Sequence, residues 1–146
     1  MSYASNALCA VAFHEAGHAV VARYFGLTVI EIKIREDVSS ETDMAGAADA
    51  LPLVDQIAIH CAGQASQTVF KCRSHVLAVS GDQVAIGKLV EGLTEDHCLE
   101  VRNAGYRRAI EIVKNNAREV ERLASLLIEQ RRINESTIAQ ATILVA

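Results

Sequence analysis

The sequence predicts a mainly α fold with a small β element, an α+β chain forming a single domain over residues 1–146. Three observations carry that prediction. One Pro and eight Gly interrupt 146 residues rich in Ala and Leu, so helix breakers are scarce. Clean alternation of apolar and polar residues is confined to one stretch, Thr28 to Arg35. The C-terminal half keeps helical periodicity from Thr94 to about Arg132. With 51% hydrophobic residues the chain holds enough apolar material for a real core.

Each element follows in order. Ser5 or Asn6 is suited to cap a first helix running to about Phe25, where Gly26 supplies the expected stop. In Thr28–Arg35, Ile30, Ile32 and Ile34 face one side and Glu31, Lys33 and Arg35 the other. That pattern predicts a short, half-buried edge strand. Residues 36–43 are polar and turn-like, and Met44 to Ala48 read as a short second strand or a loop. Pro52 fits the first turn of a second helix over roughly 52–70, whose apolar stripe includes Ile57, Cys61, Ala65 and Val69. Residues 71–79 read as a loop. Ser80 and Gln83 resemble a capping box, which starts a third helix ending near Glu91. Thr94, followed by Glu95 and Asp96, opens the long C-terminal helical stretch, with a break near Asn115-Asn116. Asn134 caps a short last helix.

Charge and composition exclude several classes. The formal net charge is −4 and basic residues are interspersed with acidic ones, so nucleic acid is not an expected partner. No apolar run approaches the roughly 18 residues of a membrane span. The N-terminus shows no positive leader, so no signal peptide is expected. Cys9, Cys61, Cys72 and Cys98 form no CxxC pair, and the expectation is reduced, buried thiols in a cytoplasmic protein. The apolar faces near 52–70 and 95–132 must pack on each other or be covered by self-association or a partner protein.

Chemistry concentrates in His14-Glu15-Ala16-Gly17-His18, an HExxH motif within an apolar, helix-compatible run. Residues four apart share one helix face, about 6 Å apart along the axis. His14 and His18 therefore aim at one point and suit a zinc ion, which takes neutral imidazole nitrogens at about 2.0–2.1 Å. Glu15 lies beside that axis, within reach of a zinc-bound water as general base. A third ligand must come from downstream. Asp82, His60, His75, His97, Glu91, Glu95 and Glu100 are the candidates. Asp82 stands out, because it falls in the first turn of the predicted third helix, after Ser80-Gly81. Gly lets the backbone approach closely there, and the helix dipole favours a carboxylate. An ordinary N-terminal helix Asp explains the same placement, so local physics does not choose. His60, in an apolar helix, reads as a hydrogen-bonded core residue; His75, in the loop before Asp82, is a candidate to orient a substrate or an oxyanion, and His97 has no assigned role.

The chain resembles the peptidase domain of the FtsH-type ATP-dependent zinc proteases. The stretch His14 to Ala19 reads HEAGHA, and Ala62-Gly63-Gln64-Ala65-Ser66 is similar to the family's AGRAAE segment. Ser80-Gly81-Asp82 resembles its (A/S)-x-D ligand segment, and Val120 to Ile133 its late helix. These segments span most of the chain in the family's order. The resemblance implies a zincin-like domain with His14, His18 and Asp82 as zinc ligands and Glu15 as catalytic base. It implies a peptidase acting on flexible or unfolded protein segments. The chain departs from the pattern at Gln67, where the family usually has Glu, and it contains no ATP site. The expected activity is hydrolysis without ATP-driven unfolding, aided by self-association or a separate partner. The rival readings are a non-catalytic zinc-binding module that docks a partner and a metal-free helical interaction protein. An intact Glu15 argues against the first, since a structural zinc site needs no base.

Overall fold

The computed structural model describes residues 3–72 and 76–143. Helix α1 (Tyr3–Tyr24) leads into strands β1 (Thr28–Ile34) and β2 (Ser40–Ala45), then a single 3-10 turn at Ala48–Ala50. Helices α2 (Leu53–Val69), α3 (Val76–Leu89), α4 (Glu95–Asn115) and α5 (Ala117–Gln130) follow. Strand β3 (Arg132–Asn134) and helix α6 (Glu135–Ala141) close the chain. The three strands form one antiparallel sheet in the order β2-β1-β3, and the fold is mainly α with that small sheet. Among the described residues, no helix is long and apolar enough to cross a membrane.

Helix α1 runs through the middle of the core. Val11, Ala12, Ala16, Ala19, Val20 and Val21 are fully buried on it. An all-round apolar helix needs neighbours on every side, and α1 has α2, α5 and the sheet. From α5 come the buried Val120, Leu123, Ala124 and Leu127, the Val and Leu side chains each contributing about 1.5–3 kcal/mol. Helix α2 lies between α1 and α4. Close approach on both sides depends on glycine: a Cβ at Gly17 would strike Ser66 and the Ala62 carbonyl, and one at Gly105 would strike Ile57. The faces of α2 and α4 thus cover one another.

Several expectations hold. Gly26 ends α1 with φ of 85°, and Pro52 occupies the N-cap of α2. Thr94 Oγ1 accepts a hydrogen bond from the His97 amide at 3.2 Å, and Asn134 Oδ1 accepts from the Thr137 amide at 3.0 Å. The C-terminal stretch breaks at Asn116.

Others are corrected. Helix α1 is already running at Tyr3, so neither Ser5 nor Asn6 caps it. Strand β1 is the central strand rather than an edge, because β3 pairs along its other side; β2 is an edge. Its buried set is Val29, Ile32 and Ile34, while Ile30 is 39% exposed. The register against β2 shifts between Val29 and Glu31, so Ile30 is an extra, unpaired residue and the phase changes across it. The polar segment 36–43 is a turn only over its first half, since β2 begins at Ser40. Helix α3 begins by Val76, inside the segment read as a loop, so Ser80 lies within the helix and is no cap. All four cysteines are free thiols, but only Cys61 is buried. Burial, with the charge of Asp82, pushes its thiol up to about 11.

Candidate metal centre

Helix α1 carries His14, Glu15 and His18 on the side facing α2 and β2. Packing against the core leaves them 2%, 6% and 6% exposed, far too buried for ordinary surface histidines. Helix α3 brings Asp82 across α2 to meet them. His18 Nε2 lies 3.1 Å from His14 Nε2 and 3.1 Å from Asp82 Oδ2, and His14 Nε2 lies 3.2 Å from the same oxygen. These three atoms make a nearly equilateral triangle. A tetrahedral ion with bonds of about 2.0–2.1 Å spaces its ligand atoms about 3.3–3.4 Å apart. His14, His18 and Asp82 thus form a group able to hold a metal ion.

Hydrogen-bond chemistry points the same way. His18 Nδ1 donates to the Ile59 carbonyl at 2.8 Å, which leaves Nε2 of the neutral ring as a lone pair. That lone pair faces the Asp82 carboxylate, so two acceptors meet at hydrogen-bond distance. Only a cation between them makes the contact favourable, either a proton or a metal. Burial lowers the basicity of His18, but the hydrogen bond and charge of Asp82, helped by Glu15, outweigh it and raise the ring to about 9. Burial also lifts Asp82, yet hydrogen bonds and charge from His14 and His18 hold it well below the usual carboxylate range. His14 is oriented by shape. Its ring fills the space where a Cβ at residue 63 would be, so only Gly63 lets α2 pass, and its Nδ1 makes no hydrogen bond among the described residues.

Glu15 is held from the sheet. Ser40 Oγ donates to Glu15 Oε1 at 2.9 Å, and Thr42 Oγ1 donates to Oε2. Both helices and β2 open on one cavity of about 590 Å³, which His14, Glu15, His18 and Asp82 line together with Met44 and Ile59.

Asp82 meets the histidines, but not by the expected route. It lies in the second turn of α3, beyond the reach of the N-terminal dipole, and a Cβ at Gly81 would meet open space. Its approach depends on how α3 lies across α2. His60 is no core residue: it is half-exposed on α2, with Nδ1 4.0 Å from Asp82 Oδ1 on the cavity wall. Burial lowers its basicity. His97, Glu91, Glu95 and Glu100 are exposed and lie outside the metal-binding group, and His75 lies outside the described residues. Gln67 stands apart from the centre, fully buried, with Nε2 donating to the Ala10 carbonyl at 3.0 Å and tying α2 to α1. Sequence reasoning missed Ser40, Thr42 and Gly63. A period of two through Ser40, Thr42 and Met44 is the signal that would have found the first two.

The site is a buried group of two histidines and one carboxylate that could hold a metal ion, beside a second carboxylate. A scan against protein-family models gives no match, and no curated protein matches the chain.

Proposed function

We propose that this chain is a zinc metallopeptidase that hydrolyses peptide bonds in flexible or unfolded protein segments, in the manner of the FtsH-type peptidase domain it resembles. One observation carries the reading: three metal-ligating atoms converge at 3.1–3.2 Å with Glu15 opening on the same cavity. His14, His18 and Asp82 would hold the zinc ion. Zinc bound there supplies a water of lowered pKa and a Lewis acid for the scissile carbonyl. Glu15 accepts the water's proton and returns it to the leaving amine. The outer edge of β2, which pairs with no further strand among the described residues, is the place for an extended peptide to lie. We place the protein in the cytoplasm, in keeping with its free thiols. A partner protein or a second copy of the chain delivers substrate.

Metal analysis of the purified protein and casein hydrolysis by wild type and Glu15→Gln test this. The expected result is one zinc per chain in both, with hydrolysis lost in the variant because Gln cannot accept the proton. Wild type without stoichiometric zinc overturns the metal assignment, and an active Glu15→Gln overturns the base. Zinc-loaded wild type that cleaves no flexible substrate transfers the reading to a non-catalytic, partner-binding zinc module.

A further inference from the structure

The groups that hold Glu15 come from neither α1 nor α3. Along β2, Ser40, Thr42 and Met44 are half-buried while Glu41, Asp43 and Ala45 are exposed, so the strand turns two hydroxyls and one thioether inward. Ser40 pairs with Ile34 and Thr42 with Ile32, both buried residues of β1, which locks that face toward α1. The hydroxyls meet different oxygens of one buried carboxylate. A carboxylate oxygen has about two lone-pair sites, so each keeps one free to accept a further proton. Outward, Glu41 is tied to Lys33 at 3.3 Å and Arg35 at 3.0 Å. A one-residue slip of β2 would aim Glu41 and Asp43 at Glu15, so this register is protected by charge as well as packing.

We propose that Ser40 and Thr42 are positioning residues that fix the Glu15 side chain in one rotamer, aimed at the point where His14, His18 and Asp82 converge. The role rests on the peptidase reading for its catalytic meaning, but the fixing of the rotamer is a property of the chain alone. A flexible Glu in a water-filled cavity samples several rotamers, and two donors on separate oxygens select one. Neither hydroxyl touches the ligand triangle, so both are separable from metal retention.

The test compares Ser40→Ala, Thr42→Val and the double variant with wild type, using Thr42→Ser as the conservative rescue. Glu15 rotamer populations are measured by side-chain scalar couplings in the metal-free protein. Zinc content, kcat and KM on an unfolded peptide follow. The double variant is expected to spread Glu15 over several rotamers, keep stoichiometric zinc, and lose about 10–100-fold in kcat with KM nearly unchanged. Thr42→Ser keeps both the single rotamer and the rate. A single Glu15 rotamer in the double variant overturns the proposal, as does an unchanged kcat. An inert wild type refutes the peptidase reading alone, because the couplings still decide the rotamer. If the double variant fails to fold, the single variants decide by the same two measurements.

Discussion

His14 and His18 reach the candidate metal site from a helix packed on several sides by α2, α5 and the sheet, whereas Asp82 reaches it from α3, which packs chiefly on α2. On α3, Gly81 and Gln83 are exposed and Val84 is 60% exposed. The histidines are therefore set by core packing before any cation arrives. The carboxylate is carried by a helix held on α2 through Ile86 and Val90, and its own attraction to the histidines adds to that packing, so a cation between them would also bear on α3. One half of the site is scaffold and the other is closure, and four measurements break or sharpen that contrast.

The largest effect is expected from Asp82→Ala. It should weaken zinc by more than the roughly 10–100-fold that loss of an outer-shell partner costs, while the metal-free fold survives. Equilibrium dialysis and circular dichroism check the two halves of the statement, and global unfolding of the variant would break the contrast. Gly63→Ala acts on the scaffold instead. Its Cβ overlaps the His14 ring, so the variant should lose about 1–3 kcal/mol in urea melts and much of its zinc affinity.

A smaller effect follows from pH. His18 is raised from 6.5 to about 9, so its contribution to metal-free stability is full below pH 6.5 and lost as pH rises toward 9. Asp82 is depressed from 3.8, so its contribution is present above that value and lost as pH falls further. Metal-free stability should then plateau between these limits. Zinc must displace the His18 proton, so its affinity should rise over the window in which metal-free stability falls. Urea midpoints with and without zinc at about pH 6 and 9 should show opposite trends; parallel trends would refute the coupling. The smallest effect belongs to Gly81→Ala. The site is helical and open, so the variant should gain about 0.5–1 kcal/mol and keep its zinc.

How much of this was legible in the sequence depended on the range of the determining interaction. His14 and His18 were legible because helical periodicity alone puts residues four apart together. Asp82 was reached through family resemblance, while the local argument for it, a capped helix start at Ser80, does not describe α3. Its position is decided by packing of α3 on α2, which no local pattern encodes. The inward face of β1 was misread at Ile30 because Ile30, Ile32 and Ile34 alternate without fault, and only pairing with β2 reveals the extra residue. Ser40 and Thr42 looked like turn residues, since a strand whose inward groups serve a buried carboxylate has no apolar stripe.

The irregularity at Ile30 also sets where β1 tolerates a change of length. Its six pairs with β2 run from Thr28↔Ala45 to Ile34↔Ser40 and skip only Ile30. Deleting that residue leaves Val29, Glu31 and Ile32 in ordinary alternation, with every pair intact and the strand straighter. Deleting Lys33 instead would put Ile34 on the wrong face of the strand. Among chains built on this plan, a gap at position 30 is therefore the one that β1 can absorb, and gaps at 31 to 34 are the ones selection would remove.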